Sequence, residues 1–303
     1  MLSLCYDTLS HIAEYLSNRD KIRLSAVCRI TDVLKYKFIY HDKVLLETIK
    51  NFAHKSNFKY VFYETDDTNI SEIVTHLKIQ SNFRGPIMIP QSVTHLTFGT
   101  QFDNPIGKQL SSTTLTHLVF NDYFDQSVDN LPESLTHLVF GGEFISPNVL
   151  TVNGFFNWKD IYAGGSFDRS IDNLPKTLMF LSLGCDFNTP IKNLPSSLTY
   201  LNLGNEFNQS IKNILPPTLI YLILGDEFRR SIKNRIPQSV IHLSISFTSS
   251  RPIYVPPWIK HLEIDAKEGN WKENCLPYGI IHLKIYGNVN TNWTIKYRQV
   301  LLI

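Results

Sequence analysis

Residues 194–211 read LPSSLTYLNLGNEFNQSI. In an extended chain, Leu201 and Leu203 fall on one side while Tyr200 and Asn202 point to the other. Gly204 then permits a tight turn. Phe207 and Ile211 supply two further apolar side chains, and Pro195, without an N–H, breaks any helix at the head of the segment. The same order returns on both sides, as LPESLTHLVFGGEF (131–144), LPKTLMFLSLGCDFNTPI (174–191) and PPTLIYLILGDEFRRSI (216–232). Aligned on the central leucine, copies fall at Leu77, Leu96, Leu118, Leu138, Leu181, Leu201, Leu222, Leu243, Leu262 and Leu283, with Ile161 filling the gap in DIYAGGSF. The eleven copies are 19 to 23 residues apart.

A single copy cannot bury its apolar side, whereas stacked copies can. Nine of the 19 phenylalanines occupy one position, at 83, 102, 124, 144, 167, 187, 207, 228 and 247, which predicts a buried column of rings. Asn or Asp often follows (Asp103, Asp125, Asp168, Asn188, Asn208) and can satisfy backbone groups exposed by the turn. The expected fold is a mainly β repeat solenoid, with one short parallel strand per coil of about 21 residues. Eleven strands at ~4.8 Å give a sheet roughly 50 Å long. Pro and Gly leave little room for helices on its back. The boundaries read as 1–45 helical segment, 46–75 connector and N-terminal cap, 76–286 solenoid and 287–303 C-terminal cap. Within the last, WTIKYRQVLLI (293–303) reads as a capping strand.

The repeats resemble FNIP repeats, named for a Phe-Asn-Ile-Pro core and related to leucine-rich repeats; FNTPI (187–191) and FNQSI (207–211) carry the likeness. Such proteins are typical of social amoebae and of giant DNA viruses that infect amoebae.

Residues 1–45 lack the repeat. Leu9, Ile12, Ala13 and Leu16 have i, i+3, i+4, i+7 spacing, which predicts a helix over 7–17 with Asp7 as its cap. A second helix is expected after Asp20, with Ile22, Leu24 and Val27 apolar, and a third around 31–40. LCYDTLSHIAEYLSNRDKIRLSAVCR (4–29) resembles an F-box, with Leu4, Leu9, Ile12, Tyr15, Leu16, Asp20, Ile22, Leu24, Val27, Cys28 and Arg29 in register. Cys5 stands where that motif carries Pro, and Thr31 where Trp is common. The resemblance implies that Leu4, Leu9, Ile12, Leu16, Ile22, Leu24 and Val27 dock a Skp1-like adaptor while the repeats hold a target protein. The other reading is a helical cap on the solenoid.

The position before the central leucine reads His76, His95, His117, His137, Asp160, Phe180, Tyr200, Tyr221, His242, His261 and His282, and so holds seven of the ten histidines. Rings there can stack strand on strand or offer rigid contact area to a partner. A metal site fits poorly, because parallel side chains do not converge. The position after the central leucine varies, and Val119, Val139, Tyr162 and Ile223 are expected as exposed apolar residues, a patch that suggests a protein partner or a covering segment. With the rings, the expected partner face comprises His95, His117, Val119, His137, Val139, Tyr162, Tyr200, Asn202, Tyr221, Ile223 and His242.

Lys and Arg number 29 against 27 Asp and Glu, a net charge of +2, which argues against a broad nucleic-acid or polybasic membrane surface. One basic cluster, Arg229, Arg230, Lys233 and Arg235, lies on the turn edge. No apolar run approaches the ~18–20 residues of a membrane span, and Asp7 and Glu14 interrupt the start, so no signal peptide is expected. The four cysteines lie far apart without metal-like pairing and read as reduced thiols. No GxSxG, HExxH or phosphate-cradling glycine loop occurs. The expectation is a cytoplasmic, non-enzymatic interaction protein without metal or cofactor. Its leading role is that of a ubiquitin-ligase adaptor, and its alternative a repeat scaffold.

Overall fold

The computed structural model describes residues 2–27, 29–80, 83, 88–142, 164–247, 254–266, 276–286 and 299–302. The chain divides into two compact units, Met1–Leu96 and Thr97–Ile303.

The N-terminal unit opens with α1 (Leu2–Ala13), α2 (Asn18–Ser25) and α3 (Arg29–Asp32), and a 3-10 turn comes next at Val33–Tyr36. α1 begins before Asp7, because nothing in the preceding residues breaks a helix, and Asp7 lies inside it rather than capping it. Ser17, not Asp20, caps α2: its hydroxyl accepts from Asp20 N at 3.2 Å. Three short helices hold little core of their own, and α2 is tied to the chain just beyond them. The buried Lys21 donates from Nζ to Ile39 O at 2.7 Å, and Asn18 N donates to Asp42 Oδ2 at 2.6 Å. Leu34, Phe38, Tyr40, Ile49 and Phe58 are buried, with the Tyr40 and Phe58 rings stacked at 4.4 Å. β1 (Val44–Leu45), α4 (Leu46–Ile49), β2 (Val61–Thr65) and β3 (His76–Ile79) complete the succession. β1, β2 and β3 pair in parallel in chain order. β4 (His95–Phe98) begins at the end of this unit, with His95 N donating to Thr75 O.

The C-terminal unit is a parallel β-solenoid. Its strands are β5 (His117–Phe120), β6 (His137–Phe140), β7 (Phe180–Ser182), β8 (Tyr200–Asn202), β9 (Tyr221–Leu224), β10 (His242–Phe247), β11 (His261–Ala266), β12 (His282–Tyr286) and β13 (Gln299–Leu302). Each pairs in parallel with the next, and Leu118, Leu138, Leu181, Leu201, Leu222, Leu243, Leu262, Leu283 and Val300 share one register. A slip of one residue would turn this whole column outward. Before each strand, Pro132, Pro175, Pro195, Pro216 and Pro237 accept a turn bond from the N–H three residues on.

Two expectations require correction. β6 pairs directly with β7, His137 against Phe180, although eleven evenly spaced copies predicted a further strand between them. The stack resumes at the turn: Phe167 lies between Phe124 (6.3 Å) and Phe187 (6.1 Å). Residues 143–163, including Phe144, Ile161 and Tyr162, lie outside the described residues. Secondly, Phe247 belongs to a strand rather than to the turn column. Where Ser246 replaces the turn glycine, nothing forces the chain to turn, and β10 runs six residues instead of three or four.

The Phe column is buried throughout, with Phe102, Phe124, Phe167, Phe187, Phe207 and Phe228 all inside. The residue after each Phe does more than serve its own turn. Asp103, Asp125, Asp168, Asn188 and Asn208 each accept, through Oδ1, the backbone N–H of the equivalent residue one coil on, at 2.8–3.0 Å. Ser134, Thr177, Ser197 and Thr218 donate back to carbonyls of the preceding coil in the same manner. Polar bonds as well as apolar columns therefore run from coil to coil.

Candidate interaction surface

The strand-face rings form a ladder. In the N-terminal unit Phe62, His76 and His95 stack at 4.1 and 4.0 Å. In the C-terminal unit His117 stacks on His137 at 4.1 Å, Phe180 on Tyr200 at 4.0 Å, Tyr221 on His242 at 4.1 Å and His242 on His261 at 4.0 Å. His137 to Phe180 is looser at 5.6 Å, and Tyr200 to Tyr221 tilts at 6.1 Å. The threonine before several histidines holds its ring. The Thr136 hydroxyl donates to Thr116 O at 3.0 Å and lies 2.8 Å from His137 Nδ1. The hydroxyl thus ties the ring to the neighbouring strand.

Burial first, and at three of them a neighbouring imidazole second, lowers four of these rings. His76 is pushed down to about 3 by burial, then by His95 and Lys43. His242 is likewise lowered to about 3 by burial, then by His261 and His282. Burial also lowers His137, and burial with His282 lowers His261.

The position after the central leucine differs from expectation. Val119 and Val139 are each 2% exposed, Ile223 4% and Asn202 1%, and Tyr200 is also buried. Along this face the rings pack closer than the phenylalanines of the turn do. Ring centroids at the closest ladder steps are 4.0–4.1 Å apart, whereas equivalent phenylalanines on the turn side are 5.9–6.3 Å apart. On that face the Glu263 charge reaches Tyr200, three strands away, and reinforces the upward shift that burial gives the phenol. The polar members are satisfied locally: Asn202 Nδ2 donates to Ser182 Oγ at 3.1 Å, and Asn202 Oδ1 accepts from Gly204 N. His95, His117, His137, Tyr221 and His242 stay half-buried, at the rim of this face.

A match to the FNIP Repeat family model covers residues 112–143, 187–227 and 207–248. The chain carries FNIP repeats. A protein of Acanthamoeba polyphaga mimivirus named "Putative F-box protein R638" is 36% identical over 61 residues, which cover 20% of this chain and 46% of that one. A solved structure described as a novel circular LRR protein, CroV588, is 26% identical, covering 87% of this chain and 51% of that chain with a TM-score of 0.32. The FNIP-repeat chain therefore spans about half the length of both relatives, 46% and 51%.

Of the residues expected on the helical face, Ile12, Ile22 and Val27 are exposed, and Leu9, Leu16 and Leu24 are half-buried. Leu4 lies in α1, its side chain outside the described part of the molecule, as is Cys28. Tyr15 (82% exposed), Val33, Tyr36 and Ile39 extend the exposed apolar surface. The helical periodicity pointed to this face, but the helix expected around 31–40 gives way to the 3-10 turn at Val33–Tyr36, and Ile39 lies beyond it. On the repeats the sequence reading picked out a basic cluster but missed a column. Asp129, Asp172, Lys192, Lys212 and Lys233 occupy equivalent turn positions on successive coils. The signal was the recurring I-K-N triplet at 191–193, 211–213 and 232–234. No helix among the described residues is long and apolar enough to cross a membrane.

Proposed function

We propose that the chain is a non-enzymatic adaptor: residues 1–45 dock a Skp1-like protein, and the FNIP solenoid holds a target for ubiquitin transfer by other subunits. The carrying observation is the exposed apolar surface of the helical segment, with Tyr15 82% and Val27 73% exposed. Solvated apolar side chains in such number suit a protein partner. The name of the mimiviral relative supports the same reading. The bonds from Lys21 to Ile39 and from Asn18 to Asp42 favour a second role for these helices, capping the first strands with the opposite side.

Calorimetric titration of the purified chain with a Skp1-type protein tests the proposal. Micromolar or tighter binding is expected, weakened at least ~10-fold by Ile12→Asp or Val27→Asp, since a charge in an apolar contact costs well over 1 kcal/mol. Both side chains are exposed, so circular dichroism should not change. A folded chain that does not bind would leave capping as the only role of the helices.

A further inference from the structure

Two columns of side chains along the turn edge of the C-terminal unit change sign together. After the Phe, the residues are Asp103, Asp125 and Asp168, then Asn188 and Asn208, then Arg229. Further round the turn the column runs Asp129, Asp172, Lys192, Lys212, Lys233. One local geometry places most of these: the N–H groups of Asp129, Asp172, Lys212 and Lys233 each donate at 3.3 Å to a Ser Oγ two residues earlier.

The acidic end is used within the fold. Asp125 is paired with Arg169 at 2.8 Å, Asp129 accepts from Asn173, and Asp172 accepts from Lys192 N. The basic end is used less: Arg229 pairs with Glu227 at 2.7 Å, and Lys233 Nζ lies 5.9 Å from the centre of the Tyr254 ring. Lys192 lies 3.4 Å from Asp172 with its side chain 79% exposed. Among the described residues Lys212, Lys233 and Arg235 have no carboxylate within ion-pair distance, and Arg230 donates only to Asn208 O. Coil to coil, the turn phenylalanines beneath this column are 5.9 and 6.3 Å apart. Alternate residues of an extended peptide repeat every ~6.7 Å, a mismatch that flexible lysine stems absorb.

We propose that Lys192, Lys212 and Lys233 bind an extended acidic peptide running along the stack, with carboxylates at alternate positions meeting successive lysines. Arg230 and Arg235 flank the row. The buried strand face leaves little side-chain surface for a partner, and the turn edge takes over that role. This rests on the target-holding half of the proposed function, and its test contains no adaptor, so the two fail separately.

Fluorescence anisotropy at low ionic strength, where exposed charge pairs are least screened, provides the test. The probes are a labelled peptide alternating Glu and Ser and a peptide of the same composition with its Glu in one block. The alternating peptide should bind more tightly, by about threefold. The triple variant Lys192→Gln, Lys212→Gln, Lys233→Gln should bind it about tenfold more weakly, and Lys212→Gln alone about twofold, from the usual weight of exposed ion pairs. A control with Lys59→Gln, Lys108→Gln and Lys176→Gln, which removes the same charge, should stay within about twofold. The proposal is overturned by absent binding, by equal loss in the control, by no preference for alternation, or by a labelled oligouridine that outcompetes the peptide. The lysines are exposed, so the thermal midpoint of the triple variant should match that of the parent.

Discussion

Residues 2–45 and the coils between 164 and 247 treat apolar side chains in opposite ways. Of fourteen large exposed hydrophobic residues among the described ones, eight lie between Ile12 and Leu45. In the coils, Leu178, Leu181, Phe187, Leu198, Leu201 and Phe207 are wholly buried, as is the strand-face position that was expected to meet a partner. A stack buries apolar groups because each coil supplies the neighbour that the next one lacks. Three short helices have no such supply, and what they leave outside is interface or liability. The proposed partner sites follow this contrast, apolar in the N-terminal segment and charged on the coils.

The contrast is sharpest in truncation. Phe187 stacks between Phe167 at 6.1 Å and Phe207 at 5.9 Å with no exposed surface, so Phe187→Ala should cost about 3–5 kcal/mol in urea unfolding. Tyr15→Ala, made where the ring is 82% exposed, should stay within about 0.5 kcal/mol. Comparable losses from the two would show that the helical face is not free. A somewhat smaller loss is expected from Gly204→Ala. Gly204 has φ +78°, and a Cβ there would overlap the Gly184 carbonyl. Left-handed strain with a backbone clash should cost about 2–3 kcal/mol, again read from urea unfolding.

The repeat, the parallel strands, the Phe column and the stacked rings were legible because a stack multiplies each local preference. Leu201 sits where it does for the same reason as Leu181 and Leu222, and each copy corroborates the others. The direct pairing of β6 with β7 was not legible, since the copy aligned on Ile161 has normal spacing in the sequence and only pairing in space shows which strands are neighbours. The burial of Val119 and Ile223 was hidden for a related reason. Alternation tells which side a residue faces, not whether that side is wet. On the helices the sequence named the residues of the proposed docking face; on the coils the proposed site lies on the turn rather than on the strand face.

Acid should act on one part of the ring ladder and spare another. His76 and His242 are held down to about 3, against ~6.5 in the unfolded chain. The unfolded state therefore binds more protons between those values. The stability these rings contribute is complete above ~6.5 and lost as pH falls below it toward 3. Between pH 7.5 and 5.5 the loss should be about 1 kcal/mol for each, after allowance for partial exposure, or about 2 kcal/mol together. The Phe180–Tyr200–Tyr221 stretch has no group titrating in that window, both tyrosines being raised. Amide hydrogen exchange at pH 5.5 should thus accelerate around His76 and His242 before it does around Tyr200. Uniform acceleration, or an unchanged unfolding midpoint, would remove the histidines from the stability of the stack.

The smallest effect separates the side-chain ladder from the apolar columns it accompanies. Asn208 Oδ1 accepts from Arg229 N at 3.0 Å on the exposed turn. In Asn208→Ala that N–H can turn to water, so the loss should be near the net worth of one hydrogen bond, about 1 kcal/mol. Asn208→Asp keeps the acceptor, as Asp125 and Asp168 do at the same position, and places a carboxylate beside Arg229 and Arg230. It should be neutral or slightly stabilising in urea unfolding, and less so in high salt. If Asn208→Asp instead costs as much as Asn208→Ala, the amide is needed for its N–H2 as well as its oxygen. The carboxylates earlier in the column would then be held by their own partners, such as Arg169 for Asp125, rather than by a rule common to every coil.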